Sequence, residues 1–239
     1  MSGHSKWSKV KHQKATTDVV KSFAFTKASR AIAVSVKEGG GITDPASNFH
    51  LRLAVEKAHA VNMPKENIER AIARGAGSGA AGIEQMTYEG YGPGGVAILL
   101  EAATDNRQRS VSQIKNVLER AGGTLASPGA VSFQFSRRGV LTVPKQGITY
   151  DALLAAACDA GAEDVTETTD LFEVYTKDTA LPAVKQLLEA AKIPIENTAR
   201  IMYPTTPADV DDALRAKIDG LVAALEELDD VQTVFTNLT

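Results

Sequence analysis

Residues 150–176, YDALLAAACDAGAEDVTETTDLFEVYT, decide the fold class of this chain. The apolar segment Tyr150–Ala160 predicts a helix, and the segments Asp164–Thr168 and Phe172–Thr176 predict two strands. The elements predicted on either side are a strand at Gly139–Pro144, a helix at Leu181–Ala191 and a strand at Ala199–Tyr203. Residues 139–204 are therefore predicted to follow the order β-α-β-β-α-β, which is a complete ferredoxin-like unit.

The chain outside this unit predicts a strand, a helix and a strand before it, and a helix and a strand after it. These elements occupy Val96–Ala103, Ser110–Ala121, Val131–Ser136, Val210–Glu227 and Val231–Thr236. Neither group makes a complete domain, so we expect one α/β domain into which the ferredoxin-like unit is inserted. The expected boundaries are residues 83–137 with 207–239 for the discontinuous domain and 138–206 for the inserted one.

The first 77 residues predict a basic domain of three short helices. An apolar stripe at helical spacing runs from Phe25 to Val36, and a glycine run ends the first helix. Asp44 predicts the start of a second helix, Pro64 opens a third, and Gly75 ends it. The sequence GAGSGAAG that begins there predicts a flexible linker. The predicted fold class is α+β and multidomain: an N-terminal helical bundle followed by two α/β (ferredoxin-like) domains, one inserted in the other.

Composition excludes several classes of protein. The 239 residues contain one cysteine, Cys158, so neither a disulfide framework nor a multi-cysteine metal site is expected. Cys158 lies in an apolar helix and is predicted to fill the core. No apolar run approaches the roughly 18–20 residues of a membrane span, and the N-terminus lacks the apolar region of a secretory signal. We therefore expect a cytoplasmic protein.

Charge is divided unequally along the chain. Residues 1–77 hold 13 lysines and arginines against 6 acids, and residues 78–239 hold 13 against 23. A basic head on an acidic body is typical of nucleic-acid binding by one module, although a solvated charged surface gives the same count. Beyond the N-terminal tail, the expected contact face is the side of the first helix that carries Lys27, Arg30 and Lys37.

The opening sequence MSGHSKWSKVKHQKA is the strongest functional signal. Between Lys6 and Lys14 it has no acid and too few apolar groups to build a core. Lysines contact phosphates without regard to sequence, and an aromatic ring can stack on an unpaired base. The alternative is that the tryptophan only packs the tail onto the bundle. The predicted nucleic-acid-binding residues in this segment are Lys6, Trp7, Lys9, Lys11, His12 and Lys14.

Enzyme signatures are missing from the sequence. It has no G-x-S-x-G, Walker A or dinucleotide fingerprint, and its histidines have no metal-ligand spacing. The glycine-rich sequence Gly90–Gly95 leads into a strand rather than a helix, which favours a shaped turn over a phosphate cradle. No catalytic residue, metal or cofactor is therefore expected.

Two arginines begin a predicted helix after Thr104-Asp105-Asn106. Cations at a helix N-terminus oppose the helix dipole, so Arg107 and Arg109 need a compensating anion. A nucleic-acid phosphate and a local carboxylate such as Glu101 are both candidates, and we include the two arginines among the candidate nucleic-acid contacts.

Several sequence blocks resemble the YebC family of regulatory proteins. They are MSGHSKWSKVKHQKA at the start, FTK (Phe25–Lys27), LRLAVEKAHAVNMPKENIERAIARG (Leu51–Gly75), YEGYGPGGVA (Tyr88–Ala97), TDNRQRS (Thr104–Ser110) and VFTN (Val234–Asn237). The resemblance implies a helical N-terminal domain and two α/β domains, one inserted in the other. It implies a DNA-binding transcriptional regulator or, as in mitochondrial relatives, a translation factor at the ribosome, without catalytic activity.

This chain departs from the family pattern at two places. Val20, Ser22 and Phe23 stand where the family commonly has a Lys-x-Gly-Lys-like run, which leaves Lys21 as the basic residue there. Phe49 stands where the family often has proline, so the second helix is expected to begin sooner.

The sequence therefore predicts a non-enzymatic nucleic-acid-binding regulator that needs no cofactor, small-molecule substrate or membrane. The first hypothesis is a DNA-binding transcriptional regulator, the second a ribosome- or RNA-associated translation factor, and the third a protein-interaction module that acts through its acidic body. No recognition helix with base-reading side chains at groove spacing is evident, which weakens sequence-specific DNA readout.

Overall fold

The computed structural model describes residues 18–77 and 83–238, with side chains from residue 22 onward in the first helix. The described residues form two compact units, one of residues 18–134 with 208–238 and the other of residues 135–207. Three N-terminal helices precede two four-stranded sheets in which every strand pair is antiparallel. The predicted α+β fold class is confirmed.

The helical domain packs three helices around a small apolar core. They are α1 (Asp18–Glu38), α2 (Phe49–Ala60) and α3 (Lys65–Ala76). Within each helix, the residues that join the shared core recur at spacings of three or four, which brings one stripe of each helix to the centre. The core residues are Ile32, Val36, Leu51, Ala54, Ala58, Met63, Ile68 and Ala71.

The second helix begins later than the sequence predicted. Asn48 caps it, because its Oδ1 accepts the N–H of Leu51 at 3.1 Å while its Nδ2 donates to the carbonyls of Ser35 and Ile42, each at 3.0 Å. Asp44 instead closes a turn by accepting the N–H of Ala46. The prediction from Asp44 was wrong because Asn48, which is also a preferred N-cap residue, caps α2 and in addition ties it to α1.

Gly75 is a close-packing residue rather than the end of α3. The helix continues through Ala76, and Gly75 is buried against α1. A Cβ at this position would lie 2.8 Å from the carbonyl oxygen of Ala33 and 2.8 Å from Cβ of Val36. The missing side chain therefore lets α1 and α3 approach closely.

The first α/β layer has the strand order β3-β1-β2-β8. Its elements are β1 (Glu84–Tyr91), β2 (Ala97–Thr104), α4 (Arg107–Arg120), β3 (Thr124–Ala126), α7 (Asp212–Glu226) and β8 (Val231–Thr236). Apolar residues of the sheet pack with Ile114 and Leu118 of α4 and Ile218 and Leu221 of α7. The chain thus returns to this sheet after residue 207, as expected for a discontinuous domain.

The strand predicted at Val131–Ser136 is not formed as predicted. Residues 132–134 make a 3₁₀ turn, and the next strand starts at Phe135. The Glu89 carboxylate accepts the N–H groups of Gly129, Val131 and Ser132 at 2.6–2.9 Å. Burial by itself would raise the pKa of Glu89, but these backbone N–H bonds hold it below its usual value. The N–H groups of residues 129–132 that bond to Glu89 are therefore not available to pair with a neighbouring strand.

The unit of residues 135–207 is ferredoxin-like, with strand order β5-β6-β4-β7. Its elements are β4 (Phe135–Pro144), α5 (Tyr150–Asp159), β5 (Asp164–Glu167), β6 (Leu171–Lys177), α6 (Leu181–Ala190) and β7 (Asn197–Pro204). Cys158 is exposed, so its prediction as a core residue was wrong; α5 buries Leu153 and Ala157 instead. The boundaries at residues 137/138 and 206/207 stay a prediction.

Hydropathy of the helices bears on membrane insertion. Across the described residues, none of the helices combines the length and the apolar character that crossing a bilayer requires.

Substituting Gly75 tests the close approach of α1 and α3. Gly75→Ala should lower the free energy of unfolding by about 1–3 kcal/mol, because the added methyl group overpacks the contact with Ala33 and Val36. The control is Gly220→Ala, which is also within a helix but has no atom within 4 Å of the added Cβ. It should stabilise by about 0.5–1 kcal/mol. Urea unfolding of the two variants checks this, and effects of the same sign would contradict it.

Candidate nucleic-acid interface

The predicted contact residues divide into two groups. Lys6, Trp7, Lys9, Lys11, His12 and Lys14 lie outside the described residues. The five others, Lys27, Arg30, Lys37, Arg107 and Arg109, lie on α1 and α4. Each of these five side chains donates to an acceptor within the protein, and the structure shows which acceptor holds each.

Two cations of α1 hold the segment that joins α7 to β8. Lys27 Nζ donates to the carbonyl oxygen of Glu226, and Arg30 Nη1 donates to that of Asp229. The Glu226 carbonyl is at the last residue of α7, and the Asp229 carbonyl lies in the turn after it. Cations near a helix C-terminus are favoured by the helix dipole. Burial lowers the pKa of Lys27 to about 8, although the nearby Glu226 and Asp229 counteract it. The amine is therefore mostly protonated at neutral pH while it makes this contact.

Asp230 is the centre of the polar cluster at this junction. It is 2% exposed and forms an ion pair with Arg30 at 2.6 Å. Its carboxylate also accepts from Ser110 Oγ at 2.7 Å, Thr104 Oγ1 at 3.0 Å and Arg109 Nη2 at 2.9 Å. Three separate parts of the chain, α1, the end of β2 and the start of α4, thus donate to one buried carboxylate.

The charge state of Asp230 follows from these contacts. Burial by itself would raise its pKa, but hydrogen bonds from Ser110 and Arg109 and the charge of Arg30 hold the pKa below the usual carboxyl value. The hydrogen bonds to Asp230 and Asp105 also raise the pKa of Arg109. Asp230 is therefore ionised at neutral pH and is the buried counter-charge of two arginines.

Carboxylates compensate the two arginines at the start of α4. Arg107 Nε donates to Glu84 at 2.7 Å, and Arg109 is bonded to Asp105 at 2.6 Å as well as to Asp230. Sequence analysis left a phosphate or a carboxylate open here and named Glu101. These carboxylates come from β1, the turn before α4 and the residue before β8, and the distant ones are visible only in the fold.

Lys37 completes the basic face of α1. Its Nζ donates to the carbonyl oxygen of Ile83 at 2.9 Å, immediately before β1. Lys27, Arg30 and Lys37 therefore share a helix face, as predicted, and all three bond to the discontinuous α/β domain. Their assignment to nucleic-acid contact stays a prediction, in which a phosphate would compete with these internal acceptors.

Exposed cations that sequence analysis did not single out lie on α3. Arg70 and Arg74 are exposed, and the contacts they make are to neutral acceptors. Their spacing in the sequence indicates a shared exposed face, because they lie four residues apart and the buried residues of α3 lie on the other side of the helix.

Within residues 18–77 and 83–238, no three histidine, cysteine, aspartate or glutamate side chains are grouped so that they could hold a metal ion.

Removing the charge of Asp230 tests the junction. Asp230→Asn should lower the free energy of unfolding by about 3–5 kcal/mol, because it leaves Arg30 and Arg109 without their buried counter-charge. The matched control is Asp105→Asn, whose side chain is 54% exposed and also pairs with Arg109. An exposed pair of this kind contributes at most about 1 kcal/mol. Equal losses in urea unfolding would contradict the central place of Asp230.

The Asp230→Asn variant should also change how the free energy of unfolding depends on pH. A carboxylate whose pKa is lower in the folded state stabilises fully above its unfolded pKa, about 3.9, and this contribution is lost as pH falls through the folded pKa. The wild type should therefore lose stability below about pH 4, and Asp230→Asn should lack this part of the loss.

Comparison with other proteins adds a second kind of evidence. The chain is 46% identical over 243 residues to a probable transcriptional regulatory protein of Roseiflexus castenholzii and 47% identical over 242 residues to one of Mycobacterium tuberculosis. In both cases the match covers 100% of this chain and 95% of the relative. The crystal structure of a conserved hypothetical protein, Aq1575, from Aquifex aeolicus matches with a TM-score of 0.87 and 40% identity, over 98% of this chain and 97% of that one.

Family models cover almost the whole chain. Residues 5–78 match the TACO1/YebC protein N-terminal domain, and residues 83–238 match the TACO1/YebC second and third domain. The resemblance read from the sequence blocks is thereby confirmed, and the chain belongs to the TACO1/YebC family.

Proposed function

We propose that this protein is a non-enzymatic, cytoplasmic, nucleic-acid-binding regulator, and specifically a DNA-binding regulator of transcription. The observation that carries the proposal is the unequal division of charge, with a basic segment at Lys6–Lys14 attached to a body in which acids outnumber bases. Such a segment binds polyanions through phosphate contacts and counterion release. The names of the relatives, probable transcriptional regulatory proteins, support the same reading.

The second candidate is an RNA- or ribosome-associated translation factor. It is favoured by Trp7, which lies in sequence between Lys6 and Lys9. An unpaired base gains by stacking on such a ring, whereas the bases of duplex DNA are already stacked. Neither candidate requires a cofactor, a small-molecule substrate or a membrane.

Internal contacts of the α1 cations support a division of roles. Lys27, Arg30 and Lys37 bond to the discontinuous domain, so phosphate binding by these side chains would cost those bonds. The basic segment of residues 6–14 carries no acidic residue of its own. We therefore assign the main electrostatic contact to this segment.

Charge removal tests the proposed contact. A variant with Lys6, Lys9, Lys11 and Lys14 all changed to Gln, or a deletion of residues 1–14, should abolish nucleic-acid binding at physiological salt. For the wild type, about four to six phosphate contacts give a slope of log K against log salt of roughly −3 to −5. Fluorescence anisotropy with labelled DNA and RNA over a range of salt measures both quantities.

The matched control removes four exposed lysines from the acidic body, by changing Lys115, Lys177, Lys192 and Lys217 to Gln. It has the same net charge as the lysine variant and should bind almost as tightly as the wild type. Full affinity in the lysine variant would overturn the proposal.

Trp7 distinguishes the two candidates. Trp7→Ala should weaken binding to single-stranded RNA about tenfold or more while sparing duplex DNA, since stacking is worth about 1–3 kcal/mol per base. Trp7→Phe keeps a ring and should retain most of the RNA affinity. Thermal melts recorded beside the binding assays show whether the ring has a structural role. Equal losses on both nucleic acids with an unchanged melt would favour the transcriptional candidate.

A further inference from the structure

Helix α3 separates its two arginines from its acidic side chains. Ile68, Ala71 and Gly75 are buried. On a helical period of 3.6 residues, Asn67, Arg70 and Arg74 share one flank of the solvent side, and Lys65, Glu66 and Glu69 lie toward the other. The first flank is therefore cationic and carries an amide beside its two arginines.

Arg70 is held in place by neutral groups. Its Nε donates to the carbonyl oxygen of Glu66 at 3.3 Å, and its Nη2 donates to Oδ1 of Asn67. Glu66 thus contributes its backbone rather than its carboxylate. These contacts orient the guanidinium without neutralising it, in contrast to Arg109, which is bonded to two carboxylates.

Arg74 extends this surface onto α1. Its Nη1 is 3.4 Å from Ser29 Oγ, a contact made possible by the close approach of the two helices at Gly75. Thr26 and Ser22 lie one and two turns before Ser29 on the same side of α1. Thr26 Oγ1 donates its one hydrogen to the carbonyl oxygen of Ser22 at 3.0 Å in an exposed bond, so Thr26 can reach a phosphate only by exchanging this bond for one to the ligand.

We propose that this surface, the α1–α3 polar strip, binds the phosphodiester backbone of a nucleic acid. Its members are Ser22, Thr26, Ser29, Asn67, Arg70 and Arg74. Arginine presents a planar fork of donors that matches phosphate, and hydroxyl and amide side chains commonly contact phosphate and sugar. The inference rests on the proposed nucleic-acid-binding function and adds a second contact to that of the basic segment.

Chain order favours a single path for the ligand. Ser22 follows Lys14 by eight residues, so the strip begins close in sequence to the end of the basic segment. None of its six residues is acidic. The strip therefore continues a polyanion site, whereas the basic face of α1 is bonded to the discontinuous domain.

A double substitution tests the strip. Arg70→Gln with Arg74→Gln should weaken binding about tenfold or more at physiological salt. It should also reduce the magnitude of the salt slope by about 1.8 on duplex DNA, or about 1.4 on single-stranded RNA, because two phosphate contacts are lost. The probes are a labelled duplex DNA and a labelled single-stranded RNA of equal length, and the readout is fluorescence anisotropy with the full chain.

The matched control is Lys65→Gln with Lys115→Gln, which removes the same charge from side chains that are 85% and 58% exposed. It should change the slope little. Arg70→Lys with Arg74→Lys keeps the charge and should retain most of the slope while losing affinity, since lysine lacks the fork. This variant separates a charge effect from a folding defect of the glutamine variant.

Each outcome has one reading. A loss confined to DNA or to RNA supports the strip and identifies its ligand. If the wild type binds and the arginine variant does not differ from its control, the strip is overturned and the proposed function stands. No binding of either nucleic acid by the wild type overturns the proposed function itself, and the strip with it.

Discussion

A single buried carboxylate, that of Asp230, connects the parts of the chain that are farthest apart in sequence. It accepts from Arg30 of α1, from Thr104 at the end of β2 and from Ser110 and Arg109 of α4. Burying an isolated carboxylate costs several kcal/mol, and these donors offset that cost. Together with the bonds from Lys27 and Lys37, this contact holds α1 against the discontinuous domain.

The contact determines what the basic residues of the N-terminal domain can do. Charge counted along the sequence does not distinguish a cation that binds an external polyanion from one that binds an internal acceptor. Lys27 and Arg30 are of the second kind, because their backbone acceptors lie 199 residues away, at the end of α7 and in the turn that follows it. Arg70 and Arg74 are exposed, and among the described residues their hydrogen bonds go to neutral acceptors rather than to carboxylates. The two kinds of cation are therefore distinguished by the internal acceptors near each side chain, and not by the number of cations in the domain.

Helices and strands with a clear apolar periodicity were predicted from the sequence. The ferredoxin-like order of residues 139–204 is confirmed as a fold, since each strand and helix there has its own apolar pattern. β1 and β3 were missed because β1 exposes much of its first half and β3 has only three residues. The strand expected from Val131 was wrong for a non-local reason, the capture of its N–H groups by Glu89. The cations of the candidate site could likewise be identified from the sequence, but the distant carboxylates and carbonyls that bind them could not.

Helix α1 shows why the remaining surface lies where it does. One side, with Ile32 and Val36, is buried in the bundle core, and a second side, with Lys27 and Arg30, bonds to the discontinuous domain. The third side carries the hydroxyls and approaches α3, where Gly75 leaves room for backbone contact. A helix held on two sides cannot rotate to present its lysines, so under the proposal a polyanion would meet the hydroxyls of α1 and the arginines of α3. The contact at Asp230 thus removes the basic face of α1 from the surfaces of the helical domain that are open to a partner.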